Sequence, residues 1–110
     1  MSDNRLELLQ GTLDMLVLKV LSRKELHGYG IARRIQEISE DILKVEEGSL
    51  YPALYRMEQK GWIESSWGLS DNNRRAKYYH LTTVGEKQLE LETSTWEALS
   101  FAIARVMQTA

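Results

Sequence analysis

The chain contains no cysteine, a single proline, a single phenylalanine and only two histidines. The lack of cysteine excludes a disulfide framework, a thiol nucleophile and a cysteine-based zinc site, and two histidines far apart in sequence are a poor set of metal ligands. Apolar runs of about eighteen residues and the apolar stretch of a secretion signal are also missing. We therefore expect a cytoplasmic protein without a cofactor, a metal or a membrane partner.

The size and charge of the chain limit the functions open to it. With 110 residues, 43% hydrophobic and 27% charged, it fits one compact domain, or a small domain plus one projecting helix, and is too short for a separate catalytic domain. Its net charge of −2 argues mildly against nucleic-acid binding, which needs a positive surface. However, residues 22–81 carry ten Lys and Arg against nine Asp and Glu, while residues 82–110 carry two against four. A basic face is therefore compatible with the acidic total.

Two helices are predicted in the first third of the chain. Apolar residues recur at three- and four-residue spacings over residues 6–22, the pattern of a helix with one buried face. A glycine-containing break at residues 27–30 interrupts this pattern, and isoleucines at every third or fourth position then begin a second apolar stripe. The second helix is predicted over residues 29–39.

A third, short helix is predicted between Ser49, a good N-terminal cap, and Lys60. Pro52 supports this start, because proline is best tolerated in the first turn, where its missing N–H has no helical partner. Gly61 suits the left-handed residue that ends many helices. The third helix is therefore expected to be sharply bounded at both ends.

A β-hairpin and a long helix complete the chain. Trp, Tyr and Ile are frequent in residues 62–67 and 75–81, and the turn-forming residues between them predict a long, flexible loop. Thr83 precedes a glutamate by three residues, which matches a capping box, and a helical character continues to about Met107. The order of elements is that of a winged helix-turn-helix, in which the third helix enters the major groove of DNA and the hairpin, or wing, lies beside it.

The fold is thus predicted to be mainly α with a β-hairpin, in the α+β class. A winged-helix DNA-binding domain is expected over residues 1–81 and a C-terminal dimerisation helix over residues 82–110. Apolar residues of this last helix repeat every seven positions, with companions between them, which predicts a homodimer seam. The alternative is that the helix packs on the first helix. The seam residues are Leu89, Trp96, Leu99, Ile103 and Val106.

The start of the third helix carries side chains suited to DNA. The hydroxyls of Ser49 and Tyr51 can donate to phosphates or base edges, and free backbone N–H groups there can hold a phosphate. Arg56, one turn later, can fork onto a guanine or a phosphate. The alternative is that Tyr51 and Tyr55, which share a helix face, cover the core. The residues expected to face inward are Leu50, Leu54 and Met57.

The wing adds a cluster of positive charge. Arg74, Arg75 and Lys77 lie within four residues at the base of the predicted loop, where they suit the DNA backbone or the minor groove. A solvated charge cluster is the alternative. Tyr29 and the arginine pair at 33–34, on the second helix, are further candidates for the flanking backbone, or form a plain exposed face.

Catalysis is not expected from this sequence. His27 and His80 have no serine, cysteine or carboxylate at a spacing that suggests a triad. The carboxylates Glu46 and Glu47 precede a helix, where capping or solvation is the common role. A winged helix used as a protein-interaction module stays open as a second hypothesis, and a small-molecule enzyme as a third, which would need a cleft with convergent titratable groups.

Five segments resemble the PadR family of bacterial transcription regulators, specifically its short members with one C-terminal helix. They are LQGTLDMLVLKVL, HGYGI, EEGSLYPALYRMEQKGWI, RRAKYYHLT and GEKQL. The resemblance implies a homodimer on a palindromic operator, and repression that a small molecule relieves. It also implies that Trp96 lines a site for a planar aromatic effector, although a packing role at the seam is the alternative. The DNA contacts that it implies are Ser49, Leu50, Tyr51, Pro52, Arg74, Arg75 and Lys77.

Overall fold

The computed structural model describes residues 6–7 and 10–109 of the chain. They form four helices and five strands in the order of a winged helix. The helices are α1 (Gln10–Leu21), α2 (Gly28–Ile38), α3 (Glu47–Gln59) and α4 (Thr83–Thr109). The strands are β1 (Leu6–Glu7), β2 (Leu26–His27), β3 (Leu43–Lys44), β4 (Ile63–Leu69) and β5 (Arg75–Leu81).

The strands form two small sheets beside the helices. Strand β5 lies between β2 and β4, with antiparallel pairing on both sides, so the hairpin is anchored to the turn that precedes α2. Strands β1 and β3 make a short parallel pair. The residues near the start of the predicted first helix are therefore extended at 6–7, and helix α1 begins at Gln10 rather than at residue 6.

The core lies where α1, α2, α3 and the hairpin meet. Helix α1 contributes the largest share of the buried side chains, α2 contributes two isoleucines, and Ile63 and Tyr79 close the core from the hairpin. Apolar burial of this kind is the main stabilising term of a domain of this size. The inward-facing residues predicted for α3 are confirmed, and they are Leu50, Leu54 and Met57.

Helix α3 ends where the sequence predicted but begins earlier. Gly61 has a φ of +76°, and the N–H groups of Gly61 and Trp62 donate to carbonyls of the last turn, which makes a Schellman motif. The start at Glu47, however, places Pro52 in the second turn of the helix. The prediction that Ser49 caps the helix and that Pro52 lies in its first turn is wrong, because the first turn is formed by the residues before Leu50.

Helix α4 is fixed to the domain by a cap that lies one residue before the predicted one. The Thr82 hydroxyl accepts from the N–H of Gly85 at 3.0 Å and lies 2.6 Å from the carbonyl oxygen of Gly61. A Cβ on Gly85 would lie 2.0 Å from the carbonyl oxygen of Trp62, so only glycine allows this approach. The first turn of α4 is therefore tied to the end of α3.

The wing is a tighter hairpin than the predicted one. Strand β4 continues to Leu69, and the N–H of Ser70 donates to the carbonyl oxygen of Arg74 at 2.8 Å. Asn73 supplies the positive φ, +60°, that this turn requires. The expectation of a long, flexible loop is wrong because the ladder closes on a short, hydrogen-bonded turn.

Within the part of the chain that the structure describes, no helix is long and apolar enough to cross a membrane.

Candidate nucleic-acid interface

The first turns of α3 present an exposed surface. Ser49 and Pro52 are exposed, Tyr51 is 46% exposed and Tyr55 is 65% exposed, so the tyrosines are not core residues. Leu50 is fully buried in the core. Its side chain therefore cannot contact DNA, and the contact that the family resemblance implies for Leu50 is wrong.

Tyr51 is held by the helix that precedes α3. A Cβ placed on Gly28 would lie 2.7 Å from the Tyr51 ring, so the ring rests directly on the backbone at the start of α2. The N-terminus of α2 is in turn capped by His27, whose Nδ1 accepts from the N–H of Gly30 at 3.0 Å. This contact packs Tyr51 of α3 against the start of α2 and leaves about half of the Tyr51 side chain in solvent.

Arg56 does not point toward the exposed end of α3. Its Nη2 lies 2.5 Å from Oδ1 of Asp14, a buried carboxylate on α1, and its Nε is buried without a hydrogen-bond partner. The guanidinium is thus engaged with Asp14 inside the domain. The prediction that Arg56 forks onto DNA is corrected, since the arginine joins α3 to α1 instead.

The three wing cations occupy different surroundings. Arg74 is exposed at the turn, and the guanidinium of Arg75 lies over the indole ring of Trp67, 4.5 Å from its centroid. The ammonium of Lys77 lies 3.5 Å from a carboxylate oxygen of Glu58 on α3, so its charge is partly neutralised within the protein. Arg74 and Arg75 are therefore the wing cations best placed for an external phosphate.

An open groove of about 860 Å³ lies between the start of α2, the start of α3 and the wing. Tyr29, Tyr51 and Lys77 line it together with the turn of the wing, so residues far apart in sequence converge there. Arg33 also lines it, and a hydrogen bond with Glu37 at 3.3 Å raises the pKa of Arg33. Of the predicted DNA contacts, the groove brings together Tyr29, Tyr51 and Lys77, whereas Ser49, Pro52, Arg74 and Arg75 are not among the residues that line it.

The two histidines are not brought together. His27 caps α2 and lies against Tyr78 at a centroid distance of 5.2 Å, while His80 lies 3.1 Å from a carboxylate oxygen of Glu64 on the hairpin. Among residues 6–7 and 10–109 there is no cluster of three or more side chains able to hold a metal ion. The histidines thus have structural partners, and the capping role of His27 was missed because the sequence placed the start of α2 one residue later.

Comparison with known proteins agrees with this arrangement. Residues 17–91 match the transcriptional regulator PadR-like family. The chain belongs to this family. It is similar to an uncharacterized protein X of Lysinibacillus sphaericus, 30% identical over 105 residues that cover 94% of this chain and 95% of the relative.

The similarity to solved structures covers most of the chain. A PadR-like transcriptional regulator from Bacillus cereus is 30% identical, with a TM-score of 0.78 over 93% of this chain and 97% of the other. A PadR family transcription regulator from Clostridium difficile is 34% identical, with a TM-score of 0.75 over 86% and 97%. This PadR-like chain is a transcriptional regulator of the winged-helix class, and the expectation that it is not an enzyme is confirmed by its family.

The C-terminal helix of this PadR-like regulator displays the predicted seam residues. Leu89 packs against the core, whereas the later seam residues stand about half exposed or more on the part of α4 that extends beyond it. Sequence reasoning missed further exposed apolar residues of α4, because they fall outside the seven-residue repeat. The exposed seam residues are Trp96, Leu99, Ile103 and Val106, and the additional ones are Val84, Leu91, Phe101 and Met107.

Proposed function

We propose that this PadR-like regulator is a cytoplasmic repressor that binds a palindromic operator as a homodimer. The observation that carries the proposal is the groove bordered by the start of α3 and the wing, which gathers tyrosine hydroxyls and four Lys and Arg side chains, against three Asp and Glu, on one surface. The exposed Arg74 and Arg75 lie on the wing outside this lining. Ser49, Tyr51 and Pro52 enter the major groove, Tyr29 approaches the flanking backbone, and phosphates are held at the wing. Affinity then comes from phosphate contacts and selectivity from α3.

The homodimer is proposed from the exposed apolar stripe of α4. Half-exposed side chains such as Trp96 and Ile103 form a continuous apolar surface, which marks an interaction site when it occurs on a folded chain. A two-fold axis along α4 would cover this stripe with its own copy. The two functional regions are then residues 1–81 for DNA and 82–110 for dimerisation, with recognition helices about 34 Å apart, one turn of DNA.

Replacing all three wing cations tests the DNA-binding proposal. For the triple variant Arg74→Ala, Arg75→Ala and Lys77→Ala, we expect a loss of affinity for every duplex sequence alike, because phosphate contacts carry no base information. The dependence of log affinity on log salt should also become shallower by about 0.9 for each lost phosphate contact. Binding is measured by anisotropy of a labelled duplex, selected from randomised DNA, at several salt concentrations.

A matched control removes a cation outside the wing. Lys87 is exposed on α4 and belongs neither to the wing nor to the groove, so Lys87→Ala should leave both affinity and salt dependence unchanged. If the triple variant bound DNA as tightly as the unchanged protein, the wing would have no role in DNA binding, and a protein-interaction module would become the better hypothesis.

We also propose that a planar aromatic effector binds between the paired Trp96 side chains and relieves repression. Trp96 is half exposed on the seam, and a flat cation can stack on indole rings. We expect planar aromatic cations to quench indole fluorescence saturably and to weaken operator binding. Quenching should disappear in Trp96→Leu. Saturable quenching that leaves DNA affinity unchanged would make the site irrelevant to induction, since an effector must bind the two states with different affinity.

A further inference from the structure

In the outer half of the wing, an arginine stacks on an indole ring. The DNA-binding proposal uses the arginine but gives the indole no role. Trp67 on β4 and Arg75 on β5 lie on the same face of the hairpin, since their cross-strand partners are Lys77 and Leu69. The guanidinium of Arg75 lies 4.5 Å from the centroid of the indole. Trp67 is 61% exposed, so the ring is not there to fill the core.

Two wing cations lie over aromatic rings, Arg75 over Trp67 and Lys77 over Tyr79 at 5.7 Å, but Lys77 is also paired with a carboxylate. Lys77, the cross-strand partner of Trp67, lies 3.5 Å from Glu58, which draws it toward α3. An aromatic face, in contrast, holds a guanidinium without neutralising it, and the N–H donors at the edge of the guanidinium stay available to a phosphate. Arg75 therefore combines a fixed orientation with a full positive charge.

Fixing a long side chain before binding lowers the cost of the contact that it later makes. A free arginine loses rotamer freedom when it meets a phosphate, and this loss subtracts from affinity. A stack on an exposed indole removes part of that freedom in the unbound protein. From this geometry we infer that Trp67 is a positioning residue, which orients Arg75 toward the phosphate backbone of DNA.

This inference rests on the proposed DNA-binding function, and a double-mutant cycle tests it. In the otherwise unchanged protein, Trp67→Ala is expected to weaken operator binding about two- to fivefold, the range for an exposed cation–π contact. Trp67→Phe, which keeps an aromatic face, should restore most of the affinity. In the Arg75→Ala background, Trp67→Ala should have no further effect, because the side chain that it orients is gone.

The salt dependence separates positioning from direct contact. Arg75→Ala should make the dependence of log affinity on log salt shallower by about 0.9, whereas Trp67→Ala should leave this slope unchanged because the charge of Arg75 is still present. Anisotropy titrations of a labelled operator give both quantities. Circular dichroism and thermal unfolding of each variant check that the hairpin is intact, as expected for a residue that is mostly exposed.

Leu69 supplies the matched control. It is 64% exposed on the same strand and lies directly across from Arg75, but it has no aromatic face. Leu69→Ala should leave affinity unchanged; if it weakened binding as much as Trp67→Ala, an apolar wing surface would be responsible and the inference would be overturned. A Trp67→Ala effect that persists without Arg75, or no effect where Arg75→Ala has one, would also overturn it. Failure of the unchanged protein to bind DNA would overturn the proposed function as well.

Discussion

Replacement of Ile103 by aspartate is expected to convert the protein to a monomer and to abolish operator binding. Ile103 is half exposed on α4, on the same stripe as Trp96 and Leu99. In the proposed dimer its side chain is desolvated against the partner helix, and burial of an unpaired carboxylate there costs several kcal/mol. Because one winged helix alone makes only half of the contacts, we expect operator affinity to fall by at least about a hundredfold.

Sedimentation velocity at micromolar concentration and operator titration measure these two effects. Ser94→Asp is the matched control, because Ser94 is exposed on α4 on the face opposite to Trp96 and Ile103. This variant should remain dimeric and bind DNA. A monomeric unchanged protein, or a dimeric Ile103→Asp variant with intact binding, would remove the case for dimerisation through α4.

Truncation of Arg56 is expected to act on stability rather than on base recognition. Arg56→Ala leaves the buried Asp14 carboxylate without its ion-pair partner, 42 positions away in sequence. Breaking a fully buried pair typically costs about 3 to 5 kcal/mol. Because the Arg56 side chain is 27% exposed, we expect a smaller decrease in the free energy of unfolding, about 2 to 4 kcal/mol. Urea denaturation followed by circular dichroism gives this value.

A double-mutant cycle distinguishes the ion pair from simple loss of packing. The double variant Asp14→Leu with Arg56→Met removes both charges while keeping apolar volume, so it should be more stable than Arg56→Ala. Its discrimination between operator and random DNA should match that of the unchanged protein. If Arg56→Ala kept full stability and instead lost discrimination, Arg56 would be a base contact, contrary to its position against Asp14.

The sequence predicted those features that depend on local chemistry. The stop of α3 at Gly61 and the inward face of α3 follow from residue type and spacing alone, and both are confirmed. The winged-helix class follows from the order of elements and is confirmed too. Helix starts were less certain, because capping depends on which of two neighbouring polar residues the tertiary structure selects, as at Thr82 and Thr83.

Long-range partners were beyond the reach of sequence patterns. Arg56 was predicted as a DNA contact because α3 is the predicted recognition helix, and nothing in its neighbourhood indicated that Asp14 on α1 would bind it. Lys77 was grouped with Arg74 and Arg75 by adjacency, yet Glu58 lies close to it across the fold. Tyr29 and Tyr51, in contrast, were predicted as surface residues and are exposed in the groove.

The capped start of α4 attaches this long helix to the winged-helix domain at one end. Its 27 residues, at about 1.5 Å each, span about 40 Å from Thr83 to Thr109. Because Thr82 and Gly85 tie its first turn to the end of α3, we expect the helix and the winged-helix domain to rotate as one body. A rotation of about 10° at the head then sweeps the far tip through about 7 Å. A large displacement at the far end of α4 is therefore needed to rotate the winged-helix domain by a few degrees.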